Sequence, residues 1–162
     1  MSKIISSKAD VLKSLYGQLK FSRIEKMMIV TGEEFGTDPS GAAEAVAREF
    51  EGRKIVVRSS SSAEDGMNSS NAGHFESILN VDSSDREKVK EAVRLVLESY
   101  KMDIDDISGE QVLLQTQTDD IRCSGVIFSR ELKKNRPYYA ISYDEESMDA
   151  VTSGRGGKTV YI

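Results

Sequence analysis

The sequence predicts an α+β domain in which helices flank a mixed or antiparallel sheet. Two observations support this fold class. Segments with apolar residues at helical spacing lie between short runs of β-branched residues. Late in the chain, consecutive β-rich segments are separated only by polar turns. Helices combined with hairpin-linked strands are typical of α+β architecture, and 162 residues suit one ordinary domain or two small lobes.

The first two helices are predicted from periodicity and capping. Residues 9–19 place apolar side chains at helical spacing, which indicates an amphipathic helix. Asp38 is a suitable cap for a second helix, because Pro39 then occupies the first helical position. We expect this helix to stop at Gly52.

The third helix has the clearest pattern in the chain. Ser84 and Glu87 have the spacing of a capping box, which predicts the start of the helix at this point. Its apolar face would comprise Val89, Val93, Val96, Leu97 and Tyr100.

The remaining regular structure is predicted to be β. The candidate segments are residues 27–30, 54–58, 111–117, 123–132, 137–143 and 158–162. We expect residues 118–120 to join the third and fourth of these segments as a hairpin. Since the chain stops inside the last segment, we interpret residues 1–106 as a helix-rich part and residues 107–162 as a β-rich part that is truncated at its C-terminus.

Composition excludes several classes of function. The formal charge of −5 without a basic block argues against a nucleic-acid partner. No apolar run approaches about 18 residues, so no membrane span is expected. A single cysteine excludes an internal disulfide and suits a reducing compartment, and we therefore expect a cytoplasmic location.

Residues 57–81 are the most informative part of the sequence. A β-branched run ends in Arg58, and a serine-dense loop containing glycine follows. A guanidinium offers forked donors to phosphate oxygens, and small residues let backbone N–H groups approach an anion. The segment therefore indicates polyphosphate binding. Two simpler interpretations are a solvated serine-rich loop and a structural ion pair of Arg58 with Glu64 or Asp65.

The same segment resembles the nucleotide-binding domain of the phosphoenolpyruvate synthase and pyruvate phosphate dikinase family. It contains the family's V-R-S-S-x-x-A-E-D signature and the following A-G-x-x-E-[ST]-x-L-N-V without a gap. The resemblance implies an ATP-grasp fold, in which two α+β lobes hold ATP. It also implies that ATP phosphorylates a histidine on a mobile domain, which carries the phosphate to pyruvate in a barrel domain. This chain contains neither domain, so it is not expected to act on pyruvate alone.

The resemblance assigns phosphate-binding residues in the first part of the chain. Lys8 aligns with a lysine that contacts ATP in the family, and its ammonium can reach a phosphate that also uses the N-terminus of the first helix. Arg58 is the leading candidate for phosphate binding and catalysis. Ser69, Gly73 and Ser77 would line the phosphate loop. His74 is interpreted as a loop residue, because the family's phosphorylated histidine lies in a motif that is absent here.

Further residues are assigned in the second part. Gln115 matches the glutamine of the family's strand that leads to the adenine hinge. Arg130, in a segment resembling S-G-V-x-F-T-R, would stabilise the transferring phosphates. Asp144 and Asp149 are candidate Mg²⁺ ligands in an acidic stretch, although a solvated acidic loop explains the same residues.

Two alternatives remain open. A related phosphotransferase could use the same ATP-binding module with another acceptor, such as a glucan or an antibiotic. A degenerate, non-catalytic nucleotide-binding module is the second alternative. It is favoured by the loss of the family's glycines around Lys8 and Asp149.

Overall fold

A computed structural model of the protein describes residues 7–61, 77–102, 104–147 and 150–162. The chain divides into two compact units, Met1–Gln117 and Thr118–Ile162. Both contain antiparallel sheets, and helices pack on the sheet of the first unit. The predicted α+β class is therefore confirmed. No helix in the described ranges combines the length and apolar character needed to cross a bilayer.

The first unit is built on a four-stranded antiparallel sheet. Its elements are α1 (Lys8–Leu15), β1 (Met27–Thr31), α2 (Gly32–Thr37), α3 (Pro39–Phe50), β2 (Lys54–Ser60), β3 (Ser77–Asp82), α4 (Arg86–Tyr100) and β4 (Gln111–Thr116). The strand order is β1-β4-β2-β3. The two central strands, β4 and β2, pair along six residues, from Ile55 opposite Thr116 to Ser60 opposite Gln111.

Helices α3 and α4 cover one face of this sheet and enclose its core. Phe50, Val46 and Val96 from the helices are almost fully buried with Val57 and Leu114 from the central strands. Burying one such side chain stabilises the fold by about 1.5–3 kcal/mol relative to leaving it in water. The apolar face predicted for α4 is confirmed, because all five of its residues are buried.

The structure confirms some predicted helix ends and corrects others. Asp38 caps α3 through its side chain, and Pro39 occupies the first turn as expected. Helix α1 ends at Leu15 rather than residue 19. Gly17, with a φ of +73°, follows in a left-handed conformation that a helix cannot continue through.

The capping box predicted at Ser84 is wrong. The cap of α4 is Asp85, whose carboxylate accepts from the Lys88 N–H. Ser84 instead directs its N–H and hydroxyl to Asp82 Oδ1, at 3.0 and 2.6 Å. Adjacent polar residues compete for the capping position, and the turn after β3 decides which of them reaches the helix.

A genuine capping box occurs in α2, a helix that the sequence reading did not predict. Glu34 N–H donates to Thr31 Oγ1 at 3.2 Å, and Thr31 N–H donates to Glu34 Oε2 at 2.8 Å. The sequence signal was present, since Thr31 and Glu34 have the required spacing. The six residues of α2 are too few for apolar periodicity to indicate a helix.

The second unit contains a three-stranded antiparallel sheet. Its strands are β5 (Ser124–Phe128), β6 (Ala140–Asp144) and β7 (Lys158–Tyr161), in that order. The predicted hairpin through residues 118–120 is wrong, because β4 pairs with β1 and β2 while β5 pairs with β6. Three successive buried residues in β4, Val112 to Leu114, show that both faces of this strand are covered, which is typical of a strand in the centre of a sheet.

Candidate functional site

The second face of the first sheet carries the leading candidate residue. Residues directly opposite one another in antiparallel strands point to the same side. Leu113 lies opposite both Ile29 and Arg58, so these three side chains share a face. Leu113 is fully buried but stands outside the cluster formed with α3 and α4. We call this side, which also includes Val56, the Arg58 face.

Arg58 lies two residues before the end of β2 and is half-buried. Within the described residues, its guanidinium has no hydrogen-bond or ion-pair partner; Glu64 and Asp65, the alternative partners, lie outside them. Ser77, at the start of β3, is exposed directly opposite Arg58. The predicted pair of a guanidinium and a hydroxyl is therefore brought together on one face.

Lys8 is anchored at the same end of β2. Its ammonium donates to the backbone carbonyl of Ser59 at 3.3 Å, one residue beyond Arg58. The expected use of the helix N-terminus for phosphate is not supported at two of its amides. Ala9 N–H donates to Ser60 Oγ at 2.8 Å, and Asp10 N–H donates to Ser7 Oγ at 3.1 Å. These two amides are therefore already used within the protein.

The serines that end β2 are structural, which sequence reasoning missed. Ser59, Ser60 and Ser61 are each at most 3% exposed. The Tyr100 hydroxyl accepts from Ser60 N–H at 2.7 Å and donates to the Gln111 carbonyl at 2.7 Å. This part of the serine-dense segment therefore ties α1, α4 and β4 together, and it does not form a solvated loop.

Gln115 also lies on the Arg58 face, because it is two residues from Leu113 on β4. It is half-buried, opposite Val56 on one side and Met27 on the other. A cavity of about 460 Å³ opens between α1 and β1 on this side, which is within the range of small-molecule sites. Its lining residues are Lys13, Tyr16, Lys26, Met27, Ile29 and Glu49.

Three predicted site residues, Ser69, Gly73 and Asp149, lie outside the described residues, as does His74. Two other predicted site residues, Arg130 and Asp144, belong to the second unit. Arg130 follows β5 in an exposed turn, where its Nη1 donates to the Asn135 carbonyl at 3.2 Å.

Asp144 ends β6 and organises the turn that follows. Its Oδ1 accepts backbone N–H groups from Ser147 at 2.7 Å and from Glu146 at 2.9 Å. These bonds, the Ser147 bond first, hold the pKa of the Asp144 carboxyl below its usual range. The neighbouring Glu145 pairs with Lys158 at 2.7 Å.

The described residues of the candidate site offer few ligands for a divalent cation. The described residues include no cluster of three His, Cys, Asp or Glu side chains able to hold a metal ion. Asp144 has one carboxylate oxygen, Oδ2, without a hydrogen-bond donor among these residues. A single carboxylate with substrate phosphates is a usual arrangement for Mg²⁺, so Asp144 could contribute one ligand.

Residues 28–103 match the model of a known family, pyruvate phosphate dikinase, AMP/ATP-binding domain. The match covers slightly less than half of the chain. The matched residues run from β1 to the end of α4 and include Arg58 and Ser77. Much of the first unit is therefore similar to the AMP/ATP-binding domain of pyruvate phosphate dikinase. No curated protein matches the chain.

Two solved structures share the fold. One is dinucleotide forming acetyl-coenzyme A synthetase 1 from Ca. Korarchaeum cryptofilum, in complex with coenzyme A, Ca-AMPCP and HgCl+, with a TM-score of 0.50 and 17% identity over 96% of this chain. The other is PH1788 from Pyrococcus horikoshii Ot3, with a TM-score of 0.51 and 15% identity over 95% of this chain. The chain spans 60% and 56% of their lengths. These similarities confirm the predicted ATP-grasp-like fold.

Proposed function

We propose that the chain binds ATP through its polyphosphate and supplies a phosphoryl group to a histidine on another domain of the same protein. The observation that carries this proposal is the half-buried Arg58, which has no partner among the described residues and has the Ser77 hydroxyl opposite it. The family match over residues 28–103 supports a nucleotide as the ligand.

The chemistry of this end of β2 suits an anion. Arg58 and Lys8 supply two positive charges to one end of a strand, and Ser77 adds a hydroxyl donor. A partly buried guanidinium is less screened by water than an exposed one, so a phosphate partner gains more from it. In this proposal Ser69 and Gly73 extend the phosphate-binding loop.

The other residues have subsidiary roles in the proposal. Gln115 lies beside the adenine end of the nucleotide, on the same face as Arg58. Arg130 stabilises charge on the transferring phosphates, since such transfer depends mainly on positioning and charge neutralisation. Asp144 and Asp149 would hold Mg²⁺, which supplies charge neutralisation at the phosphates when bound. A cytoplasmic location is consistent with this function.

A second candidate function is nucleotide binding without phosphoryl transfer. It is favoured by the first turn of α1, where the Ala9 and Asp10 amides are already hydrogen-bonded within the protein. The lack of a three-ligand metal cluster among the described residues favours it as well. A related phosphotransferase that acts on a glucan or an antibiotic would differ from this candidate, because it would keep phosphoryl transfer and change only the acceptor.

Calorimetric titration with ATP tests the first proposal. We expect Arg58→Ala to weaken ATP binding roughly ten- to a hundredfold, because a charged hydrogen bond contributes about 1.5–3 kcal/mol. Arg48→Ala is the matched control, since it removes the same charge from an exposed position on α3. Equal ATP affinity in folded Arg58→Ala and wild type would refute the assignment of Arg58.

The same titration with Mg²⁺ and with a chelator separates the two candidate functions. Tighter ATP binding with Mg²⁺, lost in Asp144→Ala, supports metal-assisted transfer, because metal and nucleotide must strengthen each other's binding reciprocally. ATP affinity that is identical with Mg²⁺ and with chelator favours the non-catalytic module.

A further inference from the structure

Strand β3 contains an irregularity next to the proposed phosphate site. Ile55 pairs with Val81, whereas Val57, two residues further along β2, pairs with Ile78. Two residues of β3, Leu79 and Asn80, therefore face the single intervening residue of β2. This is a β-bulge, a feature that commonly re-aims side chains near functional sites.

The bulge reverses the side-chain alternation of β3. Val81 and Ile78 are three positions apart, yet both pack against the core on the helix-covered side. In a regular strand, residues three apart point to opposite faces. Without the extra residue, continuing the register from Val81 would place Ile78 opposite Arg58. The bulge instead places Ser77 there.

Asn80 and Gln117 hold the bulge in place. Asn80 has a φ of 60°, the left-handed conformation that asparagine tolerates better than most residues. Gln117 Oε1 accepts the Asn80 backbone N–H at 2.7 Å, and Gln117 Nε2 donates to Asn80 Oδ1 at 2.8 Å. The Gln117 backbone is itself anchored, because its N–H donates to the Lys54 carbonyl at 2.9 Å.

We infer that Asn80 and Gln117 are positioning residues for phosphate binding, because the bulge that they hold presents a hydroxyl beside Arg58 in place of an isoleucine. This inference rests on the proposed function and extends it to two residues that need not touch the ligand. Both side chains act through Ser77. Their loss allows β3 to slip by one residue, since register is set by pairing and by such bulges.

A double-mutant cycle tests this role, with inorganic tripolyphosphate and ATP as probes. We expect Gln117→Ala and Ser77→Ala each to weaken binding about tenfold, and the double variant to weaken it no further than either single variant. A residue that only stabilised the fold would lower the unfolding temperature without this coupling. Gln117→Met, which keeps the side-chain length, replaces Gln117→Ala if that variant does not fold.

Substitutions at Asn80 test the backbone part of the inference. Asn80→Gly keeps the left-handed conformation and the N–H donor, so affinity should stay within about threefold of wild type. Asn80→Val disfavours that conformation and should weaken binding at least as much as Gln117→Ala. Glu51→Val is the matched control, because Glu51 also has a positive φ, 53°, at the end of α3. It should leave affinity unchanged.

The outcomes separate this inference from the function on which it rests. If the wild-type protein binds neither ATP nor tripolyphosphate, the proposed function fails and this inference fails with it. If the wild type binds both but Gln117→Ala binds equally well, only the positioning role is overturned. Full additivity of Gln117→Ala and Ser77→Ala would overturn it too, as would a cross-strand contact between Arg58 and Ser77 that persists in the NMR spectra of Asn80→Val.

Discussion

The two units of the chain use antiparallel sheets in different ways. In the first unit, α3 and α4 cover a sheet face, and Phe50 at the end of α3 is 1% exposed. In the second unit, Phe128 at the end of β5 is 39% exposed. The described part of the second unit contains no helix that could cover its sheet.

The cross-strand rows show the same contrast. Ile127, Ile141 and Val160 form one row across the second sheet, and the outer two are 67% and 44% exposed. The corresponding row of the first sheet, Ile55 opposite Val81, is at most 5% exposed. Sheets gain most of their stability when one face is buried against another layer. The first unit should therefore dominate the stability of the chain.

The largest effect on the free energy of unfolding is expected when one phenylalanine in each unit is replaced by alanine. Phe50→Ala should lower the free energy of unfolding by about 3–5 kcal/mol, because it leaves a cavity in a closed core. Phe128→Ala should lower it by less than about 1 kcal/mol, because water already contacts that ring. Urea unfolding of the two variants measures the difference. Equal losses would show that the second unit is packed as tightly as the first.

A smaller effect is expected from removing one hydroxyl in each unit. Tyr100→Phe withdraws a buried group that bonds Ser60 and Gln111, so the free energy of unfolding should fall by about 1–3 kcal/mol. Tyr143→Phe keeps the ring, whose centroid lies 5.7 Å from Lys158 Nζ. This substitution should change the free energy of unfolding by less than about 0.5 kcal/mol. Thermal unfolding compares them. A loss at Tyr143 that matched the loss at Tyr100 would contradict the contrast between units.

The smallest effect is expected on the pKa values of two carboxyl groups, each of which accepts hydrogen bonds within a backbone turn. The Ser84 hydroxyl, followed by the Ser84 N–H, lowers the pKa of Asp82, whereas backbone N–H groups of Ser147 and Glu146 lower the pKa of Asp144. Ser84→Ala should therefore raise the pKa of Asp82 toward its ordinary value. Ser147→Ala should leave the pKa of Asp144 low, because the backbone donor remains.

The sign of the pH dependence follows from these directions. A carboxyl whose folded-state pKa is depressed adds stability above its unfolded-state pKa, and that stability is lost as the pH falls through the folded value. Ser84→Ala should thus flatten the acid limb of the stability curve slightly. Carboxyl chemical shifts followed by NMR between acid and neutral pH measure both pKa values. An unchanged Asp82 titration in Ser84→Ala would show that the hydroxyl is not the main donor.

Local chemistry explains which predictions succeeded. Helix α3 was predicted correctly because Asp38 and Pro39 act on their immediate neighbours, and the apolar face of α4 followed from spacing alone. Arg58 is a candidate because a charged residue ending a β-branched run is visible in the sequence, and its role in phosphate binding stays a prediction. The pairing of β4 was missed, since residues 118–120 indicate a turn but do not identify its partner strand.

By itself, the sequence determined the α+β class, most helix positions and the family signature around Arg58. These depend on periodicity, caps and motifs that act over a few residues. Only the tertiary structure decided that Ser59 to Ser61 are buried, that Asn80 forms a bulge, and that Gln117 holds it from 37 residues away. The physical reason is that strand register and burial depend on contacts between distant segments, which no local pattern encodes.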